Sequence, residues 1–400
     1  MPSEPLHLLV PFALVPAVDA QIALSRLAYP ALGALLARAS QTERATGEDF
    51  QRTLPHERWL AGRFGLLERP AGGTPPATDD APLAPYMLLA DGGDPGTARW
   101  ACVEPAHVQI ARDHLVLIDP DTLGLNDEEA ATLLEAARPS FDELGIRVEA
   151  PTPRRWYVSG EALGELVAAP PLRAAGRSIE IWLPHDVGTG DRSRTWMKLQ
   201  NEVQMSWFEH PLNDSRESRG LMAVNGLWLY SQGTLAASLA HPFARVLSRA
   251  VATRGLALAS GAALGGPPET YAAYASLPAE SLSPPASRSG AGAPSPSLAG
   301  STSAPASRPP SGATPSGATL VELDALNVPF IHQDWYGWHE ALAQLERDWF
   351  APALAALHDG SLPRLTLTLT GDTGVVSYVI TRGALRMFWR RRPLAAAITE

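Results

Sequence analysis

Between Asn201 and Thr234 the chain reads NEVQMSWFEHPLNDSRESRGLMAVNGLWLYSQGT, which sets His, Asn, Asp, Arg, Glu and Gln between apolar runs. Trp196, Leu199, Val203, Trp207 and His210 recur at spacings of three or four, so a helix carries His210 on its apolar stripe. Pro211 ends that helix, Asn213 or Asp214 caps a short turn running through Arg219, and Gly220 closes it. A strand from Leu221 to Tyr230 follows, with Asn225 and Gly226 in its middle. Ser231 to Thr234 then stand at a strand end ahead of the helix-like LAASLAHPFARVLSRAVATR, the place where open α/β sheets hold ligands. Guanidinium forks and amides suit an anion. The expected ligand site is therefore His210, Asn213, Arg216, Arg219, Asn225 and Gln232, and the expected ligand is small and anionic. Beside it stands a structural reading: His210 bonding helix-end carbonyls, Asn213 as a plain cap, and Arg216, Glu217 and Arg219 as a solvated turn.

A second constellation lies in AHVQIARDH, where His107, Asp113 and His114 surround a strand start. A carboxylate and two imidazoles there can coordinate a metal or move protons, and equally can form a structural ion pair. DVGTGDRS (residues 186–193) has neither phosphate-loop spacing and reads as a turn. No nucleophile elbow and no HExxH helix occur. The single cysteine, Cys102, excludes an intrachain disulfide and cysteine-rich zinc sites, and its apolar surroundings suggest burial. No catalytic residue is assigned, and neither cofactor nor metal is expected.

A net charge of −10 argues against a nucleic-acid partner, which needs a basic footprint. No apolar run reaches the roughly 20 residues of a membrane span. The opening run, Leu6 to Pro16, lacks a basic leader and carries Pro11 and Pro16, so it reads as a buried strand, and the cytoplasm is the expected compartment.

The elements needed to position these groups alternate. Strand patterns at Leu6 to Leu14, His114 to Asp119 and Ser178 to Pro184 are separated by helical patterns at Ile22 to Arg38, which Pro30 can split in two, Asn126 to Leu144 and Arg194 to His210. Asn126 caps the second helix, with acids in its first turn. Ser281 to Thr319 is almost wholly Ser, Pro, Ala and Gly, the composition of a disordered linker or loop insertion; residues 70–85 resemble a shorter surface loop. After it, Trp338 to Leu357 has helical spacing, and RLTLTLT, GDTG and VVSYVIT form a hairpin. The expectation is an α/β fold, a layered mostly parallel sheet with flanking helices and a C-terminal antiparallel hairpin at its edge. Residues 1–280 would form the main domain, with 320–400 packed on it.

LQNEVQMSWFEHPLNDSRESRGLMAVNGLWL, with LHLLVPFA, LPHERWLA and ARDHLVLIDP, resembles the bacterial regulatory proteins of the RpfE type. Some members carry the label cofactor-independent phosphoglycerate mutase. The resemblance spans most of the chain outside the Ser/Pro-rich segment and implies a regulatory or accessory role on an alkaline-phosphatase-like scaffold. A mutase of that kind needs an early Asp after the first strand. Here PFALVP follows it, with no carboxylate until Asp19. Two rivals remain: a phosphomutase or phosphatase using His107, Asp113 and His114, and a protein-interaction module presenting Trp335, Trp338 and Trp389 next to Arg390 to Arg392.

Overall fold

A computed structural model describes residues 4–23, 29–48, 50–67, 80–190, 193–277, 317–387 and 389–400. In chain order the longer strands are β1 (Leu6–Val10), β2 (Ser40–Thr46), β3 (Arg99–Ile110), β4 (Leu115–Ile118), β5 (Arg147–Thr152), β6 (Arg155–Ser159), β7 (Gly226–Thr234), β8 (Arg245–Leu247), β9 (Ala263–Gly265), β10 (Thr319–Glu322), β11 (Arg364–Thr370) and β12 (Gly374–Thr381). The longer helices are α1 (Pro30–Arg38), α2 (Pro55–Arg63), α3 (Ala84–Ala90), α4 (Asp127–Glu143), α5 (Arg194–Phe208), α6 (Pro211–Ser218), α7 (Val251–Ser260), α8 (Trp335–Leu345) and α9 (Ala351–Asp359).

One seven-stranded sheet runs β9-β8-β10-β1-β11-β12-β2. Its pairs from β9 through β11 are parallel, and β12 and β2 are antiparallel additions. Every residue of β1 is buried, because its two faces meet different cores. Leu6, Leu8 and Val10 join the cluster under α1, α8 and α9, whereas Leu9 joins Trp59, Tyr86, Trp100 and Trp228. The second sheet is antiparallel: β3 pairs with β4, β6 and β7, and β5 pairs with β6. On β3, Trp100 and Cys102 face α3 and α7, which lie between the two sheets, while Ala101 and Val103 face α4 and α5. The layers therefore run helices, large sheet, the helices α2, α3 and α7, antiparallel sheet and helices again, an α/β fold with a largely parallel central sheet.

Several elements differ from the sequence reading. Residues 178–184 are turns instead of a strand: Ile179 and Trp182 are buried while Ile181 is exposed, a spacing of three, and Trp182 N donates to Ile179 O (2.9 Å). The helix expected directly after Thr234 is absent. Pro242 breaks it, Val246 and Leu247 enter the parallel sheet in β8, and α7 starts only at Val251. The Ile22 to Arg38 pattern is split at Pro30 as that residue allows: Pro30 begins α1 at the position where a missing N–H costs nothing. The hairpin does not close the sheet. β11 lies against β1, β12 follows, and the edge falls to β2. Residues 281–316 of the Ser/Pro-rich segment, and 70–79 of the shorter loop, lie outside the described residues; Thr319 already opens β10.

Close packing and buried carboxylates hold the layers. Gly255 of α7 lies so near the Tyr86 carbonyl of α3 that a side chain there would collide with backbone. A π-turn, Glu346–Phe350, joins α8 to α9 and aims Glu346 at the start of α1, where its carboxylate accepts from Ala31 N (2.5 Å) and Leu32 N (3.0 Å). Glu346→Ala leaves those two donors buried and unpaired, so we expect a loss of about 1–3 kcal/mol, read as a lower urea midpoint at unchanged slope.

Candidate functional site

The Asn201 segment keeps the expected apolar stripe but differs in the rest: α5 ends at Phe208, His210 and not Asn213 or Asp214 caps α6, and β7 begins at Gly226 and runs through Thr234, so Asn225 precedes it and Ser231 to Thr234 lie within it. Ser193 caps α5 by accepting from Trp196 N (3.2 Å), and Trp196, Leu199, Val203 and Trp207 form its buried stripe. His210 caps the start of α6, its Nδ1 accepting from Leu212 N (3.1 Å). Asn213 is buried. It donates to Trp207 O (2.8 Å) and Val224 O (2.9 Å) and accepts from Val224 N (2.8 Å). Arg216 is wholly buried, and its Nε and both Nη atoms donate to Met222 O (2.9 Å), Glu129 and Leu123 O (2.6 Å). Arg219, with its side chain 47% exposed, donates to the other oxygen of Glu129 (2.5 Å). The anion held by these two arginines is thus the chain's own Glu129.

Asn225 mimics a strand partner, bonding the N–H (2.8 Å) and carbonyl (2.9 Å) of Val108. Gln232 serves a separate stretch, accepting from Leu166 N (2.6 Å) and donating to Gly164 O (3.1 Å). Fold geometry explains the dispersal: β7 belongs to the antiparallel sheet, and residues 235–244 supply no helix start facing its end. His107 Nδ1 sits 2.6 Å from the Ala223 carbonyl, and His114 forms an exposed pair with Asp113 (2.7 Å). Among the described residues no three His, Cys, Asp or Glu side chains are grouped to hold a metal. Trp338 is fully buried, Trp335 packs on Phe330, and Trp389 is 66% exposed.

The carboxyl ends of the parallel strands gather a different set. After β1 the chain turns through Phe12, held at φ 56°. Its ring packs on Phe330 (4.7 Å) and His56 (5.8 Å), and its carbonyl accepts from Trp338 Nε1 (2.9 Å). An apolar plug therefore occupies the end of the central strand. After β8, Ser248 donates to Glu322 at the end of β10 (2.5 Å) and accepts from Ala250 N (3.0 Å). After β11, Asp372 receives Arg173 (2.8 Å) and Arg177 (2.7 Å). Arg173 is buried, lies 5.0 Å over the Trp182 ring and also donates to Gln51 O (3.0 Å).

From α2, Glu57 points into the same region and accepts from Leu54 N (2.9 Å). Burial pushes its carboxyl up to about 7, against the Leu54 N–H, and the neighbouring Asp80 and Glu322 push the same way. His56 is lowered to about 4 by burial and stays neutral. Burial likewise raises Glu322, opposed by the Ser248 and Thr253 hydroxyls.

Beside Glu322 opens a cleft of about 350 Å³ between the strand ends and the π-turn. Glu269, Glu322, Asp324, Asp348, Arg249 and Gln344 line it, with Trp349 as the apolar wall. Arg249 faces Asp324 at 3.5 Å. These groups escaped the sequence reading, although a signal existed: VLSR, VELD and TLTGD each end an apolar run in a polar side chain.

No family model matches the chain, and no curated protein matches it. Among solved structures it is similar to the PH0037 protein from Pyrococcus horikoshii, with TM-score 0.50 and 12% identity over 99% of this chain and 92% of that one. At that identity the likeness is one of fold. A second solved structure is the cofactor-independent phosphoglycerate mutase from Thermoplasma acidophilum DSM 1728, with TM-score 0.42 and 16% identity over 98% and 94% of the two chains.

Two expectations follow from this geometry. Arg216→Ala strands Glu129 and should cost about 3–5 kcal/mol, whereas Arg219→Ala should cost under about 1 kcal/mol, as compared by urea denaturation. Glu57 binds its proton more tightly folded than unfolded, so its contribution is complete below pH 4.5 and is lost as pH rises through about 7. In Glu57→Gln the melting temperature should fall less between pH 5 and about 7.5 than in the parent.

Proposed function

We propose that this chain is a cytoplasmic regulatory or accessory protein of the RpfE type that holds a small ligand in the cleft at the carboxyl ends of β8 and β10. Its sequence resemblance supports the RpfE assignment. The observation that carries the ligand-holding reading, in place of phosphoester turnover, is the plug after β1. A phosphomutase of the alkaline-phosphatase kind needs a carboxylate there, and the chain supplies Phe12 against Phe330 and His56. Neighbouring charges are already paired within the chain, Arg173 and Arg177 with Asp372 and Glu322 with Ser248. The open volume lies one step away, beside Glu322.

The cleft selects its ligand by charge. Glu269, Asp324 and Asp348 outnumber Arg249, and Glu322 lies at the base. A molecule bringing an amine or several N–H and O–H donors fits this lining, which differs from the anion suggested by the Asn201 segment. In a thermal-shift screen of small amines, polyols and phosphorylated metabolites, amines or polyols should raise the melting temperature. Asp348→Asn together with Asp324→Asn should abolish the shift without changing the unliganded melting temperature. Interconversion of phosphoglycerates or phosphatase turnover with manganese supplied, lost in Asp113→Asn, would establish the enzyme instead.

A further inference from the structure

The seven-stranded sheet ends on β2, which pairs with β12 along one side. Along its other side no described residue bonds its backbone, and six of its seven residues are exposed. Such an edge presents a row of N–H and C=O groups ready to pair with another strand. Proteins blunt an edge of this kind with charge or cover it.

The charge here has one dominant sign. Arg44 on β2 reaches Thr399 O (3.1 Å), and Arg390 reaches Ser40 Oγ (3.4 Å). Arg392 donates to Leu36 O (3.3 Å) and lies 4.9 Å over the Tyr378 ring, while Arg38 closes α1 just before β2. Arg391 is exposed beside them, and Trp389 is 66% exposed. The acid on β2, Glu43, is held by Arg63 (2.6 Å) and Trp59 Nε1 (3.1 Å). In a chain of net charge −10 this is a concentrated basic rim along an open strand edge; the acid at its Thr46 end, Glu400, accepts from Thr373 N and Gly374 N (3.0 Å each).

We propose that the β2 edge docks an extended acidic segment of a partner protein. The segment adds as a further strand, its carboxylates meeting Arg44, Arg390 and Arg391, and Trp389 covers an apolar side chain. A second copy of this chain fits poorly. Antiparallel self-pairing brings the Ser40 end of one copy, with Arg390, against the Arg44 end of the other, so like charges meet. The chain's own residues 281–319 carry Arg288 and Arg308 and no acid, so they lack the complementary charge. This surface lies at the opposite edge of the sheet from β8, and it stands or falls independently of the cleft.

The test uses the full chain and a fluorescent peptide of alternating Glu and Val, followed by anisotropy and by amide exchange. The expected result is binding that slows exchange at Ser40–Thr46 and weakens about tenfold when Arg390→Glu and Arg391→Glu are combined. A peptide of the same charge, methylated on alternate backbone nitrogens, should not bind. Binding that survives methylation or leaves exchange in β2 unchanged would overturn the proposal, as would no binding at low salt. A concentration-dependent dimer protecting the same residues would replace the acidic partner with a second copy.

Discussion

Everything in this molecule depends on β1 being held between strands from the far end of the chain. Leu6 to Leu9 pair with Thr319 to Glu322 on one side, and Leu6 to Val10 with Leu365 to Leu369 on the other. Both pairings close loops of more than three hundred residues, a cost in chain entropy that is recovered only when both faces of the strand are buried together. The sequence of β1, LHLLV, suits this because it offers apolar side chains in both directions. His7 is tolerated there only as the neutral imidazole: burial lowers it to about 3, and its Nε2 bonds Thr368 (2.8 Å).

The same constraint fixes how charge is treated. Arg216, Arg173 and Glu346 are buried, and each is matched by a group of the chain itself: Glu129, Asp372, and the N-terminal amides of α1. A buried charge without such a match costs several kcal/mol, so these pairs couple distant segments obligatorily. Arg216 ties α6 to α4, and Arg173 ties residues 171–177 to the turn after β11. Charge chemistry that resembles a binding site in one dimension thereby becomes the clamp between layers. Glu129 illustrates the balance: burial works against its charge, but donation from Arg219, the Asn126 N–H and Arg216 prevails and holds the carboxyl below its ordinary range.

Local pattern carried much of the fold. The α/β class, the amphipathic stripe of α5, the Asn126 cap of α4 and the β11–β12 hairpin are all short-range signals, readable from periodicity and capping chemistry. Strand order was not readable, because nothing local says that β10 must slip between β8 and β1 or that β2 must become the edge. The 178–184 run misled because its apolar residues satisfy a turn as well as a strand. At the site the difficulty was of another kind. His56, Glu57, Arg173, Ser248, Glu322 and Asp372 are scattered over more than three hundred positions, and only parallel register brings strand ends to one edge.

That register also explains why the carboxyl edge keeps so many polar groups after its centre is closed by Phe12. Backbone carbonyls and amides at the ends of parallel strands lose their ladder partners together, at one rim, and must find others. Leu14 N takes Thr370 O (2.9 Å), Ala250 N takes Ser248 Oγ, and Arg173 takes Asp372 O (2.6 Å), so polar side chains there are required by the sheet itself. Polar residues recruited for that duty stand beside a concavity whether or not a reaction occurs in it. Asp80 and Glu322 then act on Glu57 through poorly hydrated space, and both add to the effect of burial in raising its proton affinity. Such a rim responds to any cation that reaches it, because added positive charge favours the ionised carboxylates and releases their protons. Approach of a cation and protonation at this edge are therefore linked by the architecture, before any specific contact is considered.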